Sequence, residues 1–281
     1  MKYFMDDIKG KVCVITGGSG ILGRALAMGL ADAGAKVVII GTKKEKAESV
    51  ASNLNEMYPE STIGLAANVL DREALLNAKK EINDKFGLID VLVNCAGGNN
   101  PTATTSKEIL TNDDINDLSK SFFGLELDGF RSVFDLNFMG TVLPTMIFAK
   151  DMIGRGGVIV NISSMSSYRP ITRVVAYSAA KAAVNNLTEW LAVHLAKLNI
   201  RVNAIAPGFF LTEQNRFLLI DKDTNQLTER GKKIIANTPM GRFGEPEELI
   251  GILLYLVSDI SKFVTGVVIP VDGGFNAFAG V

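Results

Sequence analysis

The chain has 281 residues, of which 47% are hydrophobic and 21% charged, so it is long and apolar enough to bury a full core. Its formal net charge of -1 gives no reason to expect nucleic acid or an anionic membrane surface as a partner. No uninterrupted apolar run reaches the roughly 18 residues of a membrane span, and the first residues lack the apolar segment of a signal peptide. Cys13 and Cys95 have no metal-ligand spacing and are interpreted as small buried residues. These features predict a cytoplasmic protein without a metal site.

The first motif in the chain is a glycine loop between a strand and a helix. Residues 11–16 form a short apolar run, the loop from Gly17 to Gly23 follows directly, and residues 24–33 have a helical pattern that Gly34 ends. Glycines let the backbone approach a pyrophosphate, and a helix N-terminus offers free N–H groups. The arrangement favours a dinucleotide-binding loop over a plain tight turn.

The end of the second strand bears on the choice of cofactor. Residues 36–40 form this strand, and sites that prefer NAD usually follow it with Asp or Glu for the ribose hydroxyls. Here Gly41 and Thr42 come next, followed by Lys43. The missing acid and the nearby cation favour NADP. The competing interpretation is that the lysine only begins a solvated helix.

Strands and helices alternate along the rest of the chain. The pattern predicts further strands at residues 62–67, 90–94, 157–162, 200–206 and 267–271, and helices at 45–57, 71–86, 128–152, 176–197 and 246–258. Asp71 is the expected N-cap of the helix that begins there. The alternation predicts an α/β fold with a doubly wound parallel sheet, and we treat residues 1–281 as a single domain.

Two long segments interrupt this alternation. Residues 99–127 have turn-type and polar composition and are too long for an ordinary connection, so we interpret them as an insertion that forms a lid or an oligomer contact. Residues 209–245 contain only two short helical patterns, near 213–219 and 228–237. We expect this second segment to act as a small substrate loop or lid.

Three side chains in the middle of the chain suggest acid–base chemistry. Tyr177 and Lys181 are four residues apart in a helical pattern, so they share one face of the helix. An ammonium beside a phenol is expected to lower the phenol pKa towards the useful range for catalysis. Ser164 follows a buried strand and can hydrogen-bond a carbonyl oxygen. A tyrosine and a lysine also meet on helices by chance, so the pair alone does not decide the matter.

With these residues in hand, the chain resembles the short-chain dehydrogenase/reductase family over nearly its full length. The motifs that carry the resemblance are Thr16-Gly17 to Gly23, Asn94-Cys-Ala-Gly97, Asn137, Ser164, Tyr177, Lys181, Pro207-Gly208 and Asp272-Gly-Gly. The resemblance implies a Rossmann fold, an NAD(P)-dependent oxidoreductase acting on CH–OH groups, and a homotetramer.

The resemblance also implies roles for individual residues. Tyr177 is the implied proton donor, Lys181 lowers its pKa and holds the nicotinamide ribose, and Ser164 orients the carbonyl. Asn137 is implied to hold a water that links Lys181 to solvent, and Asn94 to line the cofactor site. The implied cofactor-binding residues are Gly17, Ser19, Gly20, Ile21, Leu22, Gly23, Gly41, Thr42, Lys43, Asn68, Val69, Asn94, Ala96, Gly97, Tyr177, Lys181, Pro207, Gly208 and Phe210.

The chain departs from the usual family pattern at three positions. Ile21 stands where the glycine loop normally has glycine, and Gly20 stands where NADP-binding members often have a basic residue. Asn68 replaces the usual aspartate near the adenine. The second departure weakens the indication of NADP, so the cofactor is expected to be NAD(P)(H) without a stated preference.

Within the family, three segments resemble the D-mannonate oxidoreductases. These segments are residues 162–166, 201–216 and 271–278. The resemblance implies a keto-sugar acid as substrate, reduced from D-fructuronate to D-mannonate. A carboxylate and several hydroxyls call for an arginine and amides. The substrate candidates are Asn99, Ser164, Arg173, Gln214, Asn215 and Arg216, with Arg173 preferred over Arg216 for the carboxylate.

Two other classes of function remain open from the sequence. One is a dehydrogenase or reductase of another polyol, another sugar or a 3-ketoacyl thioester, although a carrier-protein substrate would need a basic docking patch. The other is a non-catalytic nucleotide sensor on the same fold, which is expected to lose Tyr177 or Lys181, yet both are present.

Overall fold

The computed structural model describes residues 5–212 and 216–280. Its strands are β1 (Val12–Thr16), β2 (Lys36–Gly41), β3 (Thr62–Ala66), β4 (Val91–Asn94), β5 (Gly157–Ile162), β6 (Ile200–Pro207) and β7 (Val268–Val271). Its α-helices are α1 (Ile21–Asp32), α2 (Lys44–Met57), α3 (Arg72–Lys85), α4 (Leu127–Phe134), α5 (Gly140–Phe148), α6 (Val175–Leu195), α7 (Arg216–Leu219), α8 (Glu229–Ala236) and α9 (Ile250–Val257). Short 3₁₀ turns extend several of these helices.

The seven strands form one parallel sheet in the order β3-β2-β1-β4-β5-β6-β7. From β1 the chain first builds outward to β3, and it then returns to place β4 on the other side of β1. A crevice opens at the carboxyl ends of β1 and β4, where the direction of winding reverses. The predicted doubly wound parallel sheet is therefore confirmed, and the assignment of residues 1–281 to one domain stays a prediction.

Two hydrophobic cores cover the two faces of the sheet. Cys13 and Ile15 point to the core that α1, α2 and α9 cover, whereas Val12 and Val14 point to the core that α3, α5 and α6 cover. Successive side chains of a strand face opposite sides, so a strand buried on both sides must be apolar throughout. The five residues of β1 are all buried, which explains its continuous apolar sequence.

The predicted local signals at helix ends are also present. The Asp71 carboxylate accepts a hydrogen bond from the Ala74 N–H at 3.0 Å and caps α3. Gly34 follows α1 with a φ of +83°, a backbone angle that favours glycine. Of the helical pattern predicted at 213–219, residues 216–219 form α7, and 213–215 lie outside the described residues.

The helix predicted at 128–152 is not uniform. Between α4 and α5 the backbone forms one π-helical stretch, Asp135–Met139, which places Asn137 in the interior. Inserted π turns are often found at functional sites. Within the described residues, Leu127–Met152 is the one helix long and apolar enough to span a membrane, but half of that apolar window is buried in the protein, as in a core helix.

The segment 99–127 contains three short 3₁₀ turns, Pro101–Ala103, Asn112–Asp114 and Phe122–Gly124. Its backbone is joined to the turn before α6, because the Thr105 N–H donates to the Arg173 carbonyl at 3.0 Å. Its Glu108 carboxylate forms an ion pair with Lys233 of α8 at 2.8 Å. The two irregular segments therefore meet above the carboxyl ends of the strands.

Candidate active site

A cleft of about 740 Å³ lies at the carboxyl ends of β1 and β4. Most of the sequence-predicted cofactor residues line it: Gly17, Ser19, Gly20, Ile21, Leu22, Gly23, Gly41, Thr42, Asn68, Val69, Ala96, Gly97, Tyr177, Lys181, Pro207, Gly208 and Phe210. Ser164, predicted to be catalytic, and the substrate candidate Asn99 line it as well. One cleft therefore holds the groups that the sequence had placed at six different strand ends.

The glycine loop is built for close approach of backbone to backbone. Gly17 has a φ of +64°, and a Cβ there would lie 2.8 Å from the Ala96 backbone. A Cβ on Gly23 would lie 2.4 Å from the Gly17 carbonyl oxygen. Ile21 is acceptable in place of the usual glycine because it is the first residue of α1. The tight contact that needs a glycine falls on Gly23 instead.

The N-terminus of α1 offers hydrogen-bond donors to the cleft. The N-cap residue Gly20 has no side chain to satisfy the first N–H groups, and Ile21 and Leu22 line the cleft. Free N–H groups and the positive end of the helix dipole bind phosphate oxygens. The donor set and the glycine contacts therefore fit a dinucleotide pyrophosphate at this place.

The end of β2 differs from the sequence prediction at one residue. Lys43 is exposed, precedes α2 as its N-cap and does not line the cleft. Lys46, in the first turn of α2, lines the cleft beside Gly41 and Thr42. The first turn of α2 therefore places Lys46 rather than Lys43 at the cleft, and a cofactor contact of Lys43 stays a prediction. The spacing of a helical turn in the sequence could have identified Lys46 as the lysine at the cleft.

Asn94 was wrong as a cleft-lining residue. Its side chain is buried below the cleft, where its amide nitrogen donates to Thr145 Oγ1 and to Asn161 Oδ1, both at 2.9 Å. Asn161 occupies the position on β5 that pairs with Asn94 on β4. The sequence feature that could have indicated this is the pair of asparagines at matching positions on neighbouring strands. They fix the strand ends that carry Cys95-Ala-Gly97 and Ser163-Ser164.

The remaining lining residues were not predicted. They are Ile40, Lys46, Ala67, Cys95, Gly98, Leu136, Ile162, Ser163, Phe209 and Thr212. Most of them are direct neighbours of predicted residues in the sequence, so their position at a strand end could have identified them. Burial raises the pKa of the Cys95 thiol to about 11, so this group stays protonated at neutral pH and is not a nucleophile.

Tyr177 and Lys181 lie one turn apart on α6, as predicted, and the Lys181 nitrogen is 5.6 Å from the centre of the Tyr177 ring. Lys181 is 4% exposed, and its ammonium donates to the Ile162 carbonyl, the last of β5, at 2.8 Å. This hydrogen bond fixes the lysine between the catalytic helix and the sheet.

Ser164 is oriented by its neighbour Ser166. The Ser164 hydroxyl oxygen accepts from the Ser166 N–H at 3.2 Å and from the Ser166 hydroxyl at 3.1 Å. Since a hydroxyl has one proton and two lone pairs, both acceptor sites are used and the Ser164 proton remains to be donated. Ser164 also forms a hydrogen bond with Tyr177. The Ser164 proton is therefore directed to the place where a substrate carbonyl oxygen would meet both hydroxyls.

The Tyr177 pKa differs from the sequence expectation. Burial raises it above its usual value, and the Ser164 hydrogen bond only partly opposes this effect. Burial also lowers the pKa of the Lys181 ammonium to about 8, and the lowering of the Tyr177 pKa by Lys181 stays a prediction. Tyr177 is accordingly a protonated phenol at neutral pH, which suits a proton donor.

Asn137 lies beside these groups at the π turn of the helix. Its amide donates to the Gly98 carbonyl at 2.7 Å and to the Val133 carbonyl at 2.8 Å, and its oxygen accepts from the Gly98 N–H at 3.2 Å. A Cβ on Gly97 would lie 2.8 Å from the Asn137 oxygen and 3.1 Å from the Lys181 nitrogen. Gly97 is therefore the point at which Asn137 and Lys181 converge, while the role of Asn137 in holding a water stays a prediction.

The substrate candidates are only partly brought together. Asn99 lines the cleft, and Arg173 lines a second cavity that shares Asn99 with it. Arg216 is exposed, does not line the cleft and donates to Asn225 at 3.1 Å. The structure therefore does not bring Arg216 to the cleft, and its contact with the substrate stays a prediction. Gln214 and Asn215 lie outside the described residues.

Comparison with known proteins decides the family. The family model described as enoyl-(acyl carrier protein) reductase matches residues 17–276. An uncharacterized oxidoreductase of Bacillus subtilis is 48% identical over 98% of both chains. A 3-oxoacyl-(acyl-carrier-protein) reductase of Aquifex aeolicus is 36% identical over 95% of this chain and 98% of its own.

One solved structure extends these matches. It is a Haemophilus influenzae protein, proposed to be a D-mannonate oxidoreductase, with bound NAD. It has a TM-score of 0.93 and 45% identity, and the match covers 99% of both chains. The present chain belongs to the short-chain dehydrogenase/reductase family. It is an NAD(P)-dependent oxidoreductase that acts on CH–OH groups.

The catalytic role of Tyr177 in this oxidoreductase is tested by removing its hydroxyl. Tyr177→Phe keeps the ring that packs in the cleft but cannot donate a proton. We expect turnover to fall by roughly 10²- to 10⁴-fold, the usual contribution of general acid catalysis, with cofactor affinity within a few fold. Steady-state kinetics and cofactor titration measure the two effects.

The matched control for this experiment is Tyr58→Phe. The Tyr58 hydroxyl donates to Asp32 at 2.9 Å on the protein surface, away from the cleft. The control should leave turnover unchanged. An unchanged turnover number in Tyr177→Phe would contradict the assignment.

Proposed function

We propose that this oxidoreductase interconverts a keto group and a hydroxy group of a sugar acid, with D-fructuronate and D-mannonate as the pair. The observation that carries the proposal is a shallow cavity that shares Asn99 with the active-site cleft and is lined mostly by residues with polar side chains. This cavity of about 380 Å³ is lined by Asn99, Asn100, Pro101, Thr104, Thr105, Ser106 and Arg173. Amides and hydroxyls suit sugar hydroxyls, and an arginine suits a carboxylate.

The similarity to the Haemophilus influenzae protein supports the same substrate. A 3-ketoacyl thioester, suggested by the Aquifex aeolicus relative, is disfavoured by the side chains of this wall. An acyl chain is held by apolar side chains, whereas the wall beyond Asn99 is made largely of amides and hydroxyls. The polarity of the cavity therefore favours the sugar acid.

The proposed reduction uses three side chains of the chain itself. Ser164 and Tyr177 both donate hydrogen bonds to the substrate carbonyl oxygen, and Tyr177 transfers its proton to that oxygen as the hydroxyl forms. The reduced nicotinamide, when bound, supplies the hydride to the carbonyl carbon. Lys181 restores the Tyr177 proton, and the water that we assign to Asn137 links Lys181 to solvent.

We propose that the site accepts both NADH and NADPH. Gly41 provides no carboxylate to repel a 2′-phosphate, and Lys46 lines the cleft near it. The glycine loop has no basic residue that would require the 2′-phosphate of NADPH for binding, since position 20 is glycine. NAD in the Haemophilus influenzae protein supports use of the unphosphorylated cofactor.

We also propose that residues 209–245 form a lid on the substrate and that 99–127 is an insertion against which the lid rests. The Glu108–Lys233 ion pair between the two segments supports this arrangement. It is partly exposed, so it contributes little to stability and is easily broken. A weak contact of this kind suits a lid that opens in each turnover.

A panel of substrates tests the proposed function. We expect D-fructuronate to be reduced with the highest kcat/KM among D-fructuronate, another keto-sugar acid, a neutral ketose and a 3-ketoacyl thioester. Each substrate is assayed with NADH and with NADPH, by the change in absorbance of the reduced cofactor. D-fructuronate should be reduced with both.

Two results would contradict the proposal. A 3-ketoacyl thioester or a neutral ketose as the best substrate would overturn the sugar-acid assignment. Activity with only one of the two cofactors would overturn the account of Gly41 and Lys46, while leaving the substrate assignment in place.

We propose a cytoplasmic homotetramer. Large apolar side chains are exposed on the helix that carries Asn137, on α6 and before β7, including Met146, Val193 and Phe263, which is fully exposed. Contiguous apolar surface is costly in water and suits contact with a second copy. Cys13 and Cys95 are both free thiols, as expected in a reducing compartment. Light scattering at micromolar concentration should give the tetramer mass, and a monomer mass would contradict the proposal.

A further inference from the structure

Arg173 is held in an unusual backbone conformation beside the active site. Its φ is +76°, a left-handed angle that is strained for a residue with a Cβ. Two hydrogen bonds with the insertion hold it there: Nε donates to the Thr105 carbonyl at 2.9 Å, and the Arg173 carbonyl accepts from the Thr105 N–H at 3.0 Å. The terminal nitrogens of the guanidinium have no hydrogen bond or ion pair with the described residues.

A second arginine, which the sequence did not single out, lies close to the first. Arg230 is on α8 and is half-buried, and among the described residues it forms no hydrogen bond and no ion pair. The charges of Arg173 and Arg230 act on each other. Burial, and then the Arg173 charge, lower the pKa of Arg230. Arg230 lies three residues before Lys233 on α8, and Lys233 binds Glu108 of the insertion at 2.8 Å. This part of α8 therefore lies against the segment to which Arg173 is hydrogen-bonded.

The surrounding charges do not neutralise this pair. Glu108 is the acid that acts on Arg230, and its carboxylate is already bound by Lys233 at 2.8 Å. The Glu108 pKa is lowered first by Lys233 and only then by Arg230 and Arg173. Three cations and one acid leave two positive charges in excess at this place. An excess of positive charge on partly desolvated guanidinium groups favours the binding of an anion.

The position of the pair relative to the cleft indicates which anion it takes. Arg173 lines the polar cavity, and Asn99 lines both that cavity and the active-site cleft. The Asn99 amide nitrogen donates to Thr104 at 2.8 Å, which leaves its oxygen to accept from a hydroxyl. Polar groups thus line the way from Ser164 and Tyr177, past Asn99, to Arg173.

We propose that Arg173 and Arg230 together bind the carboxylate of the sugar-acid substrate while its keto group lies at Ser164 and Tyr177. This inference rests on the proposed function and adds Arg230, on the lid helix, as a specificity residue. Because Arg173 comes from the turn before α6 and Arg230 from α8, the substrate carboxylate joins the lid to the catalytic helix. Recognition of the acid and closure of the lid are then one event.

The test compares D-fructuronate with D-fructose, in which a hydroxymethyl group replaces the carboxylate. In Arg230→Met, kcat/KM for D-fructuronate should fall about 10- to 150-fold, the range for lost charge-assisted hydrogen bonds, mostly through KM. The value for D-fructose should change by less than about threefold. Arg173→Met should behave similarly, and Arg230→Lys should recover part of the loss because it keeps the charge.

Arg72→Met is the matched control. Arg72 is exposed on α3, which packs on α5 and β3 rather than against the insertion, so its removal should leave both substrates unaffected. A binding measurement covers the case in which D-fructose turnover is too slow to follow. The dissociation constant of D-mannonate is measured with NADH bound, a combination that cannot react, and should rise about 10- to 150-fold in Arg230→Met.

The outcomes separate this inference from the proposed function. If wild-type enzyme reduces D-fructuronate but Arg230→Met changes the values for both substrates alike, or leaves D-mannonate binding unchanged, the arginine pair is overturned and the sugar-acid assignment stands. If wild-type enzyme neither reduces D-fructuronate nor binds D-mannonate, both are overturned. Selective loss for the acid, with recovery in Arg230→Lys, supports the pair.

Discussion

The site depends on one buried amine. Lys181 is almost completely buried, and its nitrogen donates to the Ile162 carbonyl at the end of β5. Burying an ammonium is costly unless it is paired, and the described residues offer it a backbone carbonyl but no carboxylate. The amine therefore fixes α6 against the sheet while its own charge is destabilised. Tyr177, Asn137 and Gly97 are all positioned with respect to this group.

Much of the fold could be predicted from the sequence because parallel strands buried on both faces must be continuously apolar. β1, β2 and β5 are of this kind, and the glycines between β1 and α1 have no other use than close approach. Tyr177 and Lys181 were predictable because helical spacing alone places them on one face. The interruption of a long helix at Asn137 was not, since no proline or glycine lies within Asp135–Met139.

The differences between the predicted and the observed site have a common physical cause: the sequence shows which residues are near a strand end but not where each side chain points. Asn94 turns down towards Asn161, Lys43 stays in solvent, and Arg216 binds Asn225. Arg230 lies more than fifty positions from Arg173, so only the folded chain brings the two charges together. To predict the direction in which the Tyr177 pKa shifts, one must know how far the side chain is buried, and the sequence does not give this.

The buried amine itself is tested by the pH dependence of stability. The Lys181 pKa is about 8 in the folded chain and 10.5 by its ordinary value, so between these pH values the unfolded chain holds the extra proton. Stability then rises with pH over this window. Urea unfolding of the cofactor-free wild type and of Lys181→Met, from pH 7 to pH 11, measures it. The account predicts that wild type gains stability relative to the variant between about pH 8 and about pH 10.5, whereas a constant or falling difference would contradict it.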